Sequence, residues 1–138
     1  MKTYSPKDGT LTIGGVIVQS ADSIKIMYNE DHVSIKVDPE GRVVRTLNHN
    51  RTARVEVVLP PSSPTNDAFS AMAIADRQRL TSGVGPVQFA DLNSQTKAHA
   101  SNAWVVKTPD LDRNKEYGSF TWIFECDEME FSVGGLTR

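Results

Sequence analysis

The side chains that could do chemistry are few and lie far apart in this sequence. The three histidines, His32, His49 and His99, occur in polar stretches without an HExxH pattern, paired cysteines or a GxSxG turn. Since metal ligands and catalytic groups need defined spacings, we predict surface histidines. Cys126 with a distant histidine has the form of a nucleophilic site, but it lies in an aromatic row, which favours a buried, inert thiol. We therefore expect no catalytic residues and no enzyme activity.

An acidic stretch near the C-terminus partly matches the sequence pattern of an EF-hand calcium-binding loop. Asp110, Asp112, Asn114 and Glu116 fall at the first, third, fifth and seventh places of an EF-hand. The sixth place, which needs glycine for its sharp turn, holds lysine, and the twelfth, which needs a bidentate glutamate, holds threonine. The pattern predicts a solvated acidic loop, and we expect no metal and no cofactor.

Composition narrows the class of protein. A chain of 138 residues suits one domain over 1–138 and can bury a core without disulfides. Its lone cysteine and polar N-terminus, without an apolar leader, predict a soluble chain made in the cytoplasm. The formal charge of −2 gives no electrostatic reason to expect specific binding of nucleic acid or of a membrane surface. Arg42, Arg45, Arg51 and Arg54 are interspersed with acidic residues, as on a mixed solvated face.

The elements that would position these side chains are mostly strands. Thr10 to Val18 is predicted to form a hairpin at Gly14 and Gly15. Val33, Ile35 and Val37 alternate with polar residues, which predicts one buried face. The other predicted strands cover 24–28, 42–47, 51–59, 87–92, a return to Trp104–Val106, 119–126 and 129–133. In the strand 119–126, Phe120, Trp122, Phe124 and Cys126 share a face.

One helix interrupts the strands. Ser63 is a helix cap, Pro64 fits the first helical position, and Asp67 lies near the positive end of the helix dipole. The apolar face follows a 3.6-residue period through Phe69, Met72, Ala73, Asp76 and Leu80. We predict that Phe69 and Met72 anchor this helix on the sheet.

Seven short motifs occur in a defined order along the chain. They are Tyr4–Asp8, Leu11–Gly15, Asp38–Arg45, Ser63–Asp67, Ala103–Asp110, Trp122–Cys126 and Val133–Gly135. Their order and spacing, rather than any single motif, resemble the tail tube protein family of contractile-tailed bacteriophages, and the resemblance covers nearly the whole chain.

This resemblance implies a mainly β protomer, an antiparallel β-sandwich or barrel-like domain with one flanking α-helix. It implies a virion structural protein that self-assembles into hexameric rings, stacked as a tube through which phage DNA is ejected without specific binding. A tail sheath protein would be a partner, and the host cytoplasm the place of synthesis. An alternative is a baseplate or secretion-tube-like ring or binding module with the same fold. An enzyme ranks last.

A stacked tube needs a protruding element, since head-to-tail contacts between rings do not close on themselves. The stretch from Asp38 to Asn50, with Pro39 and Gly41 at its turn, is predicted to be a long exposed hairpin that reaches the next ring. The inter-ring interface predicted from it comprises Glu40, Gly41, Arg42, Arg45 and His49.

Overall fold

The computed structural model describes residues 9–79, 82–112 and 118–135. The motif at Tyr4–Asp8, Leu80 of the predicted helix face, and Asn114 and Glu116 of the acidic stretch lie outside these ranges. The elements are β1 (Gly9–Ile13), β2 (Val16–Ile17), β3 (Ser23–Tyr28), β4 (Val33–Val37), β5 (Val43–Leu47), β6 (Ala53–Leu59), α1 (Thr65–Gln78), β7 (Gly85–Asp91), β8 (Lys97–Lys107), β9 (Phe120–Cys126) and β10 (Met129–Ser132).

The strands form one eight-stranded antiparallel sheet and a separate two-stranded ribbon. The sheet runs β2-β1-β7-β8-β9-β6-β3, with β10 pairing β8 beside β9, while β4 and β5 pair only with each other. The two-residue turn between β1 and β2 has positive φ at Gly14 and Gly15, as this hairpin geometry requires. The predicted fold class, mainly antiparallel β with one α-helix, is confirmed.

A short link shows that the sheet curls. β2 and β3, at opposite ends of the strand order, are joined only by residues 18–22. If the seven strands formed a flat sheet, β2 and β3 would lie roughly 29 Å apart, at six spacings of about 4.8 Å. The link spans at most about 21 Å, because six residue steps cover about 3.5 Å each. The sheet must therefore bend around its core, which gives the barrel-like form.

The core lies against one face of the curled sheet. Strict alternation in β6 buries Ala53, Val55, Val57 and Leu59, and the partner strand β9 buries three of the four residues predicted to share its face. Phe120, the fourth, is partly buried against the same cluster. The predicted aromatic face of β9 is confirmed.

The helix begins where the sequence predicts. Pro64 already has helical dihedral angles, and the Ser63 hydroxyl accepts a hydrogen bond from the Thr65 amide at 3.3 Å. Ser63 also donates to the Gln19 carbonyl at 2.7 Å, and the Gln19 amide donates to the Thr65 hydroxyl at 3.0 Å. The start of α1 is thus fastened to the link that closes the sheet.

Phe69 anchors the helix, as predicted. It is fully buried, and its ring packs edge-on against Phe124 at 4.8 Å and Trp122 at 5.6 Å between centroids. Met72 is half-buried against the same core. The backbone of Gly83 passes so close to the helix that a Cβ there would lie 2.3 Å from the Met72 carbonyl oxygen. Only glycine fits this approach.

A tyrosine hydroxyl occupies the edge of β10. The Tyr28 hydroxyl donates to the Met129 carbonyl at 2.8 Å and accepts from the Phe131 amide at 3.1 Å. These are backbone groups that a neighbouring strand would otherwise bind. The side chain of Tyr28 therefore occupies two hydrogen-bonding groups of β10.

Candidate assembly surface

The ribbon β4–β5 stands apart from the core, and this corrects one prediction. Val33, Ile35 and Val37 were expected to be buried, but all five residues of β4 and all five of β5 are exposed. The alternation is real, since the register places these three side chains on one face of the ribbon. The prediction was wrong because alternation shows which residues share a face and not whether the same chain covers that face.

The exposed face of the ribbon is mostly apolar. Across the ribbon, Val33 lies opposite Leu47 and Val37 opposite Val43, while Ile35 lies opposite Arg45. Ile35 is 67% exposed and Leu47 61% exposed. An isolated two-stranded hairpin is marginally stable in water, so an uncovered apolar face on one is a feature of an interface. We name these five apolar residues and Arg45 the ribbon face.

The turn at the end of the ribbon is stabilised by hydrogen bonds and ion pairs among its own residues. The Asp38 carboxylate accepts hydrogen bonds from the Glu40 amide at 3.0 Å and from the Arg42 amide at 2.8 Å. The Arg42 guanidinium pairs with Asp38 at 2.9 Å and with Glu40 at 2.8 Å. Gly41 has a φ of 85°, which favours glycine. The tip is therefore a defined surface rather than a loose loop.

The structure separates the five residues predicted for the interface. Glu40, Gly41 and Arg42 lie together at the tip. Arg45 lies on the ribbon face, and His49 is exposed past the end of β5, at the base of the ribbon. Whether they form an interface stays a prediction. The reasoning from sequence missed the apolar members of the ribbon face, although their alternation could have identified them had they not been assigned to the core.

Two stretches of sheet edge form a second exposed feature. Within the described strands, β3 pairs only with β6, and residues 104–107 of β8 pair only with β9. These edges are the two ends of the section β3-β6-β9-β8. Unpaired edges carry free N–H and C=O groups that another strand can bind.

The face of this section that points away from the core carries paired charges. Arg54 forms an ion pair with Glu125 at 2.9 Å on the neighbouring strand, and Asn29 donates to the same carboxylate at 2.9 Å. Lys25 lies directly opposite Glu56 in the register of β3 and β6. Of the four interspersed arginines, Arg42, Arg51 and Arg54 each pair with a carboxylate.

The other side chains considered for chemistry do not come together. His32 packs edge-on against Tyr28 at 4.5 Å, while His99 lies on β8. Burial, and then the negative charges of Glu125 and Asp127, raise the pKa of the Cys126 thiol to about 12, which keeps it protonated. Among residues 9–79, 82–112 and 118–135, no three potential ligands cluster as a metal site. The only described helix, α1, is too short and polar to span a membrane.

Comparison with known proteins gives matches at the level of structure alone. No protein-family model matches the chain, and no curated protein sequence matches it. The chain resembles the tube-terminating cap of the anti-feeding prophage, with a TM-score of 0.60 and 12% identity over 97% of this chain and 93% of that one.

Two further matches come from an extracellular contractile injection system called PVC. A chain of its sheath/tube terminator in the extended state gives a TM-score of 0.61 at 10% identity, covering 96% of this chain and 99% of that one. A chain of its extended sheath-tube complex gives 0.63 at 10% identity, covering 95% and 92%. The chain therefore has the fold of the tube and tube-terminator proteins of contractile injection systems.

Proposed function

We propose that this protein is a non-enzymatic, self-assembling subunit of a contractile tail tube. The single observation that carries the proposal is the ribbon face, which projects from the body and exposes five apolar side chains. A monomer that stayed alone would keep this surface in water, whereas a stacked assembly covers it. The fold shared with tube and terminator chains supports the same conclusion.

Ring closure would use the two free edges of the section β3-β6-β9-β8. Pairing β3 of one copy with residues 104–107 of the next continues the sheet from subunit to subunit. Such a contact joins different surfaces, so repeated rotation closes a ring. We propose hexameric rings, as the resemblance to tail tube proteins implies.

The face that points away from the core would line the channel. There the Arg54–Glu125 pair and the Lys25–Glu56 register bring opposite charges together. A charge-balanced wall offers phosphates no continuous basic stripe, so DNA slides past without specific binding. This supports a phage tail tube that conducts DNA during ejection and lies in the virion, inside a sheath, after synthesis in the host cytoplasm.

A second candidate follows from the comparisons. Two of the three structures compared above are tube-terminating chains, which end a tube rather than extend it. A terminator, or a baseplate or secretion-tube-like ring, forms rings that do not stack on further copies of themselves. Tube length in the purified protein separates these candidates.

The decisive experiment is negative-stain electron microscopy of the purified chain over a range of concentrations. Long hollow tubes support the tube subunit, single rings support a terminator or ring module, and particles that stay monomeric at all concentrations contradict both.

Deletion of the ribbon tests whether β4 and β5 are needed for the stacking of rings. Residues 33–47 are replaced by a short Gly/Ser turn, which the chain can accommodate because the Asn48 amide bonds the His32 carbonyl at 2.8 Å at the base. We expect an unchanged circular dichroism signal from the sheet and helix, intact rings and no tubes. A matched point test uses Ile35→Asp on the ribbon face and Ser34→Asp on the opposite face; only the first should abolish stacking. Tubes that persist after deletion would show that stacking lies elsewhere.

A further inference from the structure

A shallow trough lies on the outer face of the sheet, across β1, β7, β8 and β10. It holds about 460 Å³. The strand registers place two rows of side chains along it, Thr12–Gln88–His99–Glu130 and Thr10–Ala90–Lys97–Ser132. The rows share one face because partners in register point the same way.

Small and long side chains give the trough its shape. Between the two rows, Phe89, Ala98 and Phe131 contribute to the lining, beside Ala90. Lys97, Glu130 and Gln88 are the long polar side chains that line it. The trough therefore combines an apolar floor with two opposite charges, and it crosses four strands over about 14 Å, at three spacings of about 4.8 Å.

The ribbon face matches this trough in length. Five residues of a strand, as in β4 or β5, extend about 14 Å from first to last Cα, at about 3.4 Å for each of four steps. The apolar side chains of the ribbon face would cover the apolar floor. The lengths agree without any change in either element.

The charges match as well. Arg45 is the one ionised side chain on the ribbon face, and the trough presents Glu130, whose side chain is 75% exposed although it pairs with Arg51. The tip of the ribbon carries Asp38 and Glu40 together with Arg42, which pairs with both carboxylates, so the charges of the tip are satisfied within the ribbon. The charge match between the two surfaces is therefore that of Arg45 with Glu130.

We propose that the trough of one copy receives the ribbon face of a second copy of this chain. This rests on the proposed function, because it names the surface on which the stacking ribbon docks. Arg45 of the incoming ribbon lies beside Glu130. Donor and receptor are different surfaces, so the contact repeats from ring to ring without closing.

The test is disulfide cross-linking between two different cysteine variants. Copies with Ile35→Cys are mixed with copies carrying Ala90→Cys, assembled and oxidised, and linked dimers are counted on a non-reducing gel. The control mixture pairs Ile35→Cys with Glu56→Cys, which lies on the face assigned to the channel. The buried, protonated Cys126 does not compete. We expect linked dimers from the Ala90→Cys mixture only.

A charge exchange provides the second measurement. Arg45→Glu and Glu130→Arg should each raise the concentration needed for tubes by about tenfold, which is the effect of a few well-placed charge contacts. The double variant should restore assembly, although it lacks the Arg51–Glu130 pair. Glu128→Arg, an exposed acid outside the trough, serves as the matched control and should leave the threshold unchanged.

The outcomes separate this inference from the proposed function. Tubes without a link at Ala90→Cys and without rescue by the double variant overturn the docking site and leave the tube proposal standing. Links between two Ile35→Cys copies show that ribbons pack on each other, which also overturns it. If wild-type protein forms neither rings nor tubes, the proposed function and the docking inference both fail.

Discussion

Replacing Phe69 by alanine tests how the helix is held to the sheet. The side chain is fully buried, and its ring is flanked edge-on by Phe124 and Trp122 of β9. Alanine would leave a cavity between helix and sheet in a place where two rigid aromatic rings limit collapse. The perturbation therefore reports on the main contact between α1 and the strands.

The expected loss is about 4–5 kcal/mol of unfolding free energy. Phe→Ala changes in cores cost roughly 3–5 kcal/mol, because transfer and cavity contributions add. Each aromatic pair is worth about 0.5–1.5 kcal/mol beyond its buried area, and two such pairs place this site in the upper half of that range. The free energy of unfolding of a whole domain is roughly 5–15 kcal/mol, so the variant retains only part of its stability.

Urea unfolding followed by circular dichroism measures the difference, at protein concentrations below the onset of assembly. Ile74→Ala is the matched control, because Ile74 lies on the same helix and is 55% exposed. It should cost less than about 1 kcal/mol. A loss below about 1 kcal/mol for Phe69→Ala as well would refute the assignment of this helix face to the core.

Three further predictions concern packing, ionisation and metals. Gly83→Ala should lower the melting temperature by several degrees because its Cβ meets the helix backbone, whereas Gly118→Ala, which meets nothing within 4 Å, should not; equal melting temperatures would contradict the close approach. Cys126 should resist a thiol reagent at pH 8 until the protein is unfolded. Because its folded pKa of about 12 exceeds the value of 9.0 for a free thiol, its contribution to stability is complete below pH 9 and is lost as the pH rises toward 12, a loss absent from Cys126→Ala. Calcium should shift the melting temperature no more than magnesium does, since Asp110 and Asp112 lack the closing ligand; a calcium-specific rise of several degrees would contradict this.

Local physical chemistry made much of the fold predictable. The cap at Ser63, the turn at Asp38 to Gly41 and the alternation in β9 depend on residues within a few positions of one another. For these elements, the spacing of apolar and turn-forming residues determines the conformation, and the structure confirms them.

The candidate surfaces depended on information that local patterns lack. Ile35 and Val55 both alternate with polar neighbours, yet one is exposed and the other buried. The difference depends on what packs against each strand. The trough was also beyond reach, because it needs the register between β1, β7, β8 and β10, which joins Thr12 to Glu130 across most of the chain.

The hydroxyl of Tyr28 has a consequence for solubility. A protein that exposes strand edges risks pairing with any extended chain it meets, including misfolded copies of itself. At β10 the carbonyl of Met129 and the amide of Phe131 are already bonded to a side chain, so these two groups are not available to an added strand. Tyr28 thereby reduces the tendency of this edge to pair with another chain.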